Sequence, residues 1–219
     1  MSLSTYGELK TAVVAWSFTG GGVTEALVAS DFMPQVQSMM YMGDGLDIQP
    51  LRIAAMIDSA TVTPATGGII TLSSQISTTL LDFIELTPTQ AGSLSLNYVP
   101  PWQFRKQQDA LQSTVGPPTM YTMEGDSLYL APAAVTPIAA KWYEKFTALS
   151  GSSDTDWVLT NAPQIYLNGC LMLACAYAQD DREGQFRAKF AASIRAINLD
   201  DAGTRRSGSV PVARPRSVA

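Results

Sequence analysis

The spacing of apolar residues changes twice along the chain, and this change restricts the folds that the sequence can adopt. Tyr6, Leu9, Val13 and Trp16 recur at helical spacing behind a capping-box pattern. Residues 69–99 hold short segments rich in β-forming residues, separated by Gly, Pro, Ser and Thr, and the last quarter of the chain returns to helical spacing. The sequence therefore predicts an α+β fold: a helical bundle of N-terminal and C-terminal helices, with an inserted β-rich subdomain and an extended C-terminal arm.

The predicted organisation has four parts. Residues 1–58 form the N-terminal helices of the bundle, and residues 59–150 form the β-rich insertion. Residues 151–201 form the C-terminal helices, and residues 202–219 form an extended basic arm, because this last segment holds Gly, Ser, Pro, Val and Arg without periodicity. The helices from the two ends are expected to pack together, since none of them is stable alone in water.

Several helix ends can be placed from capping residues. The second helix is predicted to begin at Ser30 and to stop before the glycine at position 43. A long helix that is apolar nearly all round follows Asn161 as its N-cap, and we expect it to be the most buried helix. On the last helix, Glu183 and Arg187 are spaced to form an ion pair.

The β-rich insertion carries its own signals. Residues 94–99 alternate apolar and polar side chains, which predicts a half-buried strand. The tripeptide 124–126, Glu-Gly-Asp, lies between two β-forming runs and predicts a hairpin. Residues 138–146 also alternate and are predicted to form a strand, although a helix is possible, and residues 102–112 are predicted to form a surface helix.

The chain is poor in charge, and the charge that it has is unevenly placed. Charged residues make up 15% of the sequence and apolar residues 46%, whereas about 25% charge is usual for soluble globular proteins. A chain this poor in charge either is unusually well buried or buries its surface against other subunits. The second alternative would be an obligate assembly, whose interfaces resemble a domain core cut in half. Residues 1–204 carry a net charge of -9 and the remainder +4, so the acidic body argues against nucleic-acid binding as the main task.

The residue types that support most enzyme chemistry are missing or isolated. The chain has no histidine, which removes the commonest general base and metal ligand. Cys170 and Cys175 lie five apart in an apolar run and are interpreted as buried thiols, the glycine run 20–22 lacks the lysine of a phosphate-binding loop, and residues 43–47 are interpreted as a turn. No catalytic, metal-binding or cofactor-binding residue is predicted. Carboxylates next to predicted helices are interpreted as caps and helix-dipole partners: Asp154, Asp156, Asp180, Asp181 and Glu183.

Trp102 and Phe104 are the aromatic residues of the predicted surface helix. Interfaces between proteins are enriched in exposed aromatic residues, so both are candidates for a subunit interface. A role in the core of the subdomain remains an equal alternative.

We expect a soluble protein. The start of the chain is polar with an early acid, unlike a secretory signal. The longest apolar stretch, 165–178, contains an asparagine and is shorter than the 18 or more residues that a membrane-spanning helix requires.

Three segments of the sequence resemble the head-to-tail adaptor family of tailed bacteriophages. Residues 156–169 read Asp-Trp-Val-Leu-Thr-Asn-Ala-Pro-Gln-Ile-Tyr-Leu-Asn-Gly and resemble the family run W-L-L-T-N-A-P-x-x-Y-x-x-G, which opens the long central helix. Residues 4–10 resemble the usual start of the family, and residues 118–132 resemble its hairpin. The three segments occur in the family's order and span nearly the whole chain.

The resemblance implies a structural protein of the virion that is not an enzyme and uses no cofactor. Its subunits would form a ring, expected to be a dodecamer, which docks on the portal protein and links it to a tail tube or nozzle protein. DNA would pass through the central channel without sequence-specific binding, no membrane would be involved, and assembly would take place in the host cytoplasm. The C-terminal segment would reach the portal, with the basic residues Arg205, Arg206, Arg214 and Arg216 facing acidic portal surface.

Other classes remain open at this point. A tail-completion or other neck protein of the virion would share the low charge but assemble with different symmetry. A hydrolase that uses carboxylates would need a concave site with acids of perturbed pKa. A tail-fibre-like binding module is a third class, although two long C-terminal helices are not typical of it.

Overall fold

The chain forms two compact units in the computed structural model, which describes residues 3–17, 22–90, 92–111 and 116–206. The first unit combines Met1–Ala55 with Phe146–Ala219, and the second is Met56–Lys145. The predicted boundaries of the insertion, 58/59 and 150/151, stay predictions.

The helices are α1 (Tyr6–Trp16), α2 (Glu25–Leu27), α3 (Met33–Met42), α4 (Leu72–Gln75), α5 (Pro101–Leu111), α6 (Trp157–Asn161), α7 (Gln164–Ala178) and α8 (Glu183–Arg206). The strands are β1 (Ile57–Val62), β2 (Ile69–Thr71), β3 (Leu80–Pro88), β4 (Asn97–Tyr98), β5 (Met120–Glu124), β6 (Ser127–Ala131) and β7 (Ile138–Glu144). Helices dominate the first unit and strands the second, which confirms the predicted α+β class.

Helix α1 begins where its capping box predicts. The Thr5 hydroxyl accepts a hydrogen bond from the Glu8 N–H, and the Glu8 carboxylate accepts one from the Thr5 N–H at 3.2 Å. Leu9 and Val13 are fully buried, as their spacing predicts. Trp16 was predicted to share their face, but 48% of it is exposed because it ends the helix.

The second helical segment begins earlier than predicted. Thr24 caps α2 by accepting a hydrogen bond from the Leu27 N–H at 3.2 Å, and the chain then continues as a π-helix over Val28–Phe32 before α3. Ser30 is therefore inside a continuous helical segment rather than at its start. The end is as predicted, since Gly43 adopts a φ of 71° that favours glycine.

Helix α7 is the most buried helix of the first unit, as predicted. Ten of its residues, from Ile165 to Cys175, are buried, and no Lys, Arg, Asp or Glu lies on it. It packs against α1, α3 and α8. Asn161, predicted as its N-cap, instead ends the short helix α6, where its side-chain amide donates to the Trp157 carbonyl at 2.9 Å.

The last helix is longer than predicted. Helix α8 continues to Arg206, so residues 202–206, predicted as the start of the extended arm, are helical. An ion pair between Arg205 and Asp201, four residues apart, supports this last turn. Residues 207–219 of the predicted arm lie outside the described residues.

The second unit contains two sheets around one hydrophobic core. The strand order is β1-β7-β3 in the first sheet and β2-β6-β5-β4 in the second. Both sheets contribute to the core, for example with Trp142 of β7 and Leu128 and Leu130 of β6. The predicted hairpin is confirmed as β5 and β6, with Gly125 at a φ of 60° in the turn, and the predicted strand at 138–146 is β7.

The segment 94–99 differs from its prediction. Only Asn97–Tyr98 forms a strand, and among the apolar residues of the pattern Leu96 is buried whereas Leu94 is 84% exposed. Leu96 is held by its N–H, which donates to the Leu86 carbonyl at 2.7 Å. The alternation of apolar and polar residues predicted a strand of six residues. The segment is instead anchored by one buried residue, Leu96, and its strand is shorter.

Gly169 lets α7 approach α3 and α8 closely. A Cβ atom at this position would lie 2.7 Å and 3.0 Å from the two Val36 methyl carbons and 3.2 Å from the Phe190 ring. Real Cβ atoms do not approach other atoms at 2.7 Å, so a larger residue here requires the Val36 side chain or its helix to shift.

We predict that Gly169→Ala lowers the free energy of unfolding by about 1–3 kcal/mol, because the added methyl overpacks a close-packed contact. Gly184→Ala is the matched control, since nothing lies within 4 Å of a Cβ there, and we expect it to be neutral or stabilising by up to about 1 kcal/mol. Urea unfolding followed by circular dichroism measures both. Equal effects of the two substitutions would contradict the proposed close packing.

Candidate assembly surfaces

The segment 156–169, which carries the family resemblance, is a structural junction in the first unit. The Asp156 carboxylate caps α6 by accepting a hydrogen bond from the Leu159 N–H at 2.7 Å. Its second oxygen accepts a hydrogen bond from the Tyr166 hydroxyl at 2.6 Å. One carboxylate therefore holds the start of α6 and the first turns of α7 together. The cap on α6 was predicted, and the bond to α7 was not.

Two tyrosines extend this junction to α3. The Tyr41 hydroxyl accepts a hydrogen bond from the Phe146 N–H at 3.1 Å, and the Phe146 ring stacks on Trp157 with centroids 6.2 Å apart. Burial raises the pKa of Tyr41 to about 12. Burial also raises the pKa of Tyr166, and the nearby charge of Asp156 raises it further. Both phenols therefore stay protonated and act as hydrogen-bonding groups.

The pKa of Asp156 is raised, whereas the same hydrogen bonds would lower the pKa of an exposed carboxyl group. Burial raises the pKa of Asp156, although the hydrogen bonds from Tyr166, Leu159 and Val158 lower it in part. A raised pKa marks many catalytic acids, but here the carboxylate is occupied by a helix cap and a tyrosine. The arrangement supports a structural role.

A second polar junction fixes the turn after α3. The Asp44 carboxylate accepts hydrogen bonds from the N–H groups of Leu46 and Ile48, both at 2.9 Å. Arg187 of α8 forms ion pairs with Asp44 and, at 3.1 Å, with Asp47. The hydrogen bond from the Leu46 N–H is the main reason that the pKa of Asp44 is lowered, and Arg187 adds to the effect. The predicted turn is confirmed. Arg187 forms these ion pairs across the unit, and the charge of Glu183, its predicted partner, acts on it more weakly than the two aspartates do.

The two aromatic candidates on α5 separate into different environments. Trp102 is 67% exposed, whereas Phe104 is 2% exposed and belongs to the core side of the helix. Residues two positions apart in a helix are separated by about 200° around its axis, which places Trp102 and Phe104 on opposite faces. The interface prediction is therefore wrong for Phe104 in this structure and stays a prediction for Trp102.

The exposed face of α5 combines the indole ring of Trp102 with basic side chains. The Lys106 ammonium lies 5.9 Å from the centre of the Trp102 ring, at the edge of the range for a cation–π contact. Arg105 is exposed and pairs with Glu124 of β5 at 3.0 Å. Trp102, Arg105 and Lys106, hereafter the α5 face, thus form an aromatic and basic surface on an acidic protein.

The basic C-terminal residues are described only in part. Arg205 lies on α8 and pairs with Asp201, and Arg206 is the last residue of that helix. Arg214 and Arg216 lie outside the described residues. The C-terminal arginines belong to the first unit and the α5 face to the second.

The described residues offer little metal or thiol chemistry. In the ranges that the structure describes, no three His, Cys, Asp or Glu side chains are grouped in a way that could hold a metal ion. Cys170 and Cys175 are buried and unbridged, and burial raises the pKa of the Cys170 thiol to about 12. Over the same described residues, every helix is too short or too polar to cross a lipid bilayer.

Comparison with known proteins identifies the family. The SU10 adaptor protein family matches residues 4–215, which include both units and the segment 156–169. No match is found among curated proteins. The chain belongs to the SU10 adaptor protein family. It is accordingly a phage adaptor protein and a component of the virion.

The sequence predicted some contacts of these two polar junctions and not others. The helix-capping role of Asp156 was predicted from its position before a helix. Its bond to Tyr166, ten residues later, was missed. The pairing of Arg187 with Asp44 joins residues 143 positions apart, and nothing local in the sequence indicates it.

The shifted pKa of Asp156 generates a pH prediction. Because its pKa is raised in the folded chain, the folded state binds a proton more tightly than the unfolded state does. The free energy of unfolding then falls as pH rises from the ordinary carboxyl value through the raised value. Asp156→Asn keeps a capping oxygen and has no titration, so this part of the decline is expected to vanish.

Urea unfolding of wild type and Asp156→Asn between about pH 4 and about pH 7 measures the difference. The stability of the wild type relative to the variant should decrease with rising pH. A relative stability that increases with pH would show that the folded state favours the ionised carboxylate, contrary to this assignment.

Proposed function

We propose that this chain is a non-enzymatic head-to-tail adaptor, which forms a ring on the portal and links it to the tail. The observation that carries the proposal is the family match over residues 4–215, which covers both units rather than a single motif. A dodecamer is the expected symmetry, and the tail side would contact a tail tube or nozzle protein.

The exposed apolar side chains support a role in assembly. Large apolar residues are exposed in the first unit and in the second, on a chain that is only 15% charged. Protein interfaces are depleted of charge in their centres and enriched in aromatic residues, which fits these surfaces. In the first unit they are Trp16, Met42, Leu46, Tyr177 and Leu199, and in the second Ile57, Ile84, Leu94, Tyr98, Trp102 and Val135.

The charge distribution supports the proposed DNA channel and the proposed contact with the portal. The net charge of -9 over residues 1–204 suits a channel wall along which DNA moves without adhering. The basic segment from Arg205 to Arg216 suits contact with acidic portal surface. DNA is therefore expected to pass through the ring without sequence-specific contacts.

The test is to mix the purified chain with the portal ring of its phage and to image the product by electron microscopy. A second ring, coaxial with the portal, is the expected result. No binding over a range of salt concentrations, with an intact portal, would overturn the proposal and favour a tail-completion protein, which would bind elsewhere in the neck.

The portal contact of the C-terminal arginines has its own test. We predict that the double variant Arg214→Gln with Arg216→Gln weakens binding to the portal, with a loss that shrinks at higher salt because the attraction is electrostatic. The matched control is Lys189→Gln with Arg195→Gln, which removes the same charge from α8. Sedimentation with the portal at two salt concentrations measures both variants. Equal binding by the two variants would exclude the arm as the contact.

A further inference from the structure

Strand β1 ends a sheet with only one of the features that usually protect an edge, the charged side chain of Asp58. It pairs with β7 on one side in an unbroken register of six residues, and in the described part of the chain no strand pairs with its other side. Alternate residues of such a strand direct their N–H and C=O groups outward. Its first five residues, Ile57–Thr61, are exposed, and none is Pro, Lys or Arg. An edge of this kind is a ready binding site for another chain.

The other end of the same sheet is protected. The register of β3 shifts at two points along its pairing with β7, and the strand ends at Pro88. Part of its outer side is occupied, because the Leu86 carbonyl accepts a hydrogen bond from the Leu96 N–H. The contrast singles out β1 as the available edge of this sheet.

The α5 face complements the negative charge of the β1 edge and can donate hydrogen bonds to its carbonyl groups. The edge offers carbonyl oxygens and the second carboxylate oxygen of Asp58, whose first oxygen accepts a hydrogen bond from the Ser59 N–H at 2.7 Å. Asp58 is the only charged side chain on β1. The α5 face offers the indole N–H of Trp102 and the ammonium of Lys106 as donors, while the guanidinium of Arg105 already pairs with Glu124. The β1 edge therefore presents carbonyl acceptors, N–H donors and one carboxylate. The α5 face presents donors and the positive charge of Lys106.

The two surfaces also lie on different sheets of the second unit. Strand β1 belongs to the three-stranded sheet, and α5 lies against β5 of the four-stranded sheet, with Phe104 turned inward. A closed ring requires a heterologous contact, in which two different patches of one chain meet on neighbouring copies. Two distinct and complementary patches on one unit satisfy that requirement, whereas a single self-complementary patch would give a two-fold dimer.

We propose that, in the ring, the β1 edge of one copy docks against the α5 face of the next copy, with Asp58 facing Lys106 across the contact. This inference rests on the proposed ring and names the surface that closes it. The neighbouring helix covers the open strand edge, which is one of the ways that proteins protect such edges. Trp102 supplies the large side chain at the centre of the contact.

The first experiment exchanges the two charges. Asp58→Lys alone and Lys106→Glu alone each place like charges across the contact, and each should reduce the amount of adaptor ring on the portal by about tenfold. The double variant restores opposite charges between neighbouring copies and should recover most of the binding. Asp31→Lys, at an exposed carboxylate of the first unit, is the control and should leave ring formation unchanged.

The outcomes separate the two proposals. If the wild type forms a ring and both single variants form it equally well, the β1–α5 contact is overturned. It is also overturned if the double variant folds but does not recover the ring. The adaptor function stands in either case. Failure of the wild-type chain to form any ring overturns the adaptor function and this contact with it. Circular dichroism and thermal unfolding of every variant confirm that the changes act on assembly and not on folding.

A second measurement detects the contact directly. Chains carrying Ser59→Cys are mixed with chains carrying Lys106→Cys, assembled on the portal and treated with a short bismaleimide cross-linker. A heterodimer should form in the mixture but not in either preparation alone, and the native cysteines contribute little because both are buried. Cross-linking of Ser59→Cys chains with one another would indicate a two-fold contact through β1 and overturn the heterologous assignment.

Discussion

The first unit depends on the carboxylate of Asp156, which serves two helices at once. It fills the open N-terminus of α6 and receives the hydroxyl of Tyr166, so the direction of the chain entering α7 is set by one side chain. A half-buried charge is acceptable here because both of its oxygens are hydrogen-bonded. Five residues are too few for an independent helix, so α6 depends on this cap together with the burial of Val158 and Leu159.

The packing of α7 follows from that fixed entry. A helix with no charged residue can be surrounded by protein on nearly all sides, and α7 contacts α1, α3 and α8. Gly169 permits the close approach to Val36 and Phe190 that such enclosure needs. The ion pairs of Arg187 with Asp44 and Asp47 then join α8 to the turn after α3, so polar contacts at the periphery complete an apolar centre.

The sequence was a good guide where the signal is local and a poor one where it is not. The α1 capping box, the Gly43 stop, the hairpin at Gly125 and the buried α7 all depend on residues within a few positions of each other, and all were predicted. The start of the second helical segment was misplaced because Ser30 resembles a cap, although Thr24 performs that role six residues earlier. Strand β1 was not predicted, since its burial pattern has no alternation and its pairing with β7 joins residues about eighty positions apart. On α5, the aromatic pattern suggested an interface but could not separate Trp102 from Phe104, because the side of the helix that faces the sheet is set by tertiary packing.

The turn between α3 and the following segment places Leu46 at its tip, with 83% of the residue exposed. Its backbone is held by the Asp44 carboxylate, by the 3.2 Å hydrogen bond from the Asp44 N–H to the Ile48 carbonyl, and by the ion pairs of Arg187. Most exposed loops lose conformational entropy when another molecule orders them, and that loss weakens binding. The loop that carries Leu46 is ordered in advance, so an apolar contact there would retain most of the free energy gained from removing the side chain from water.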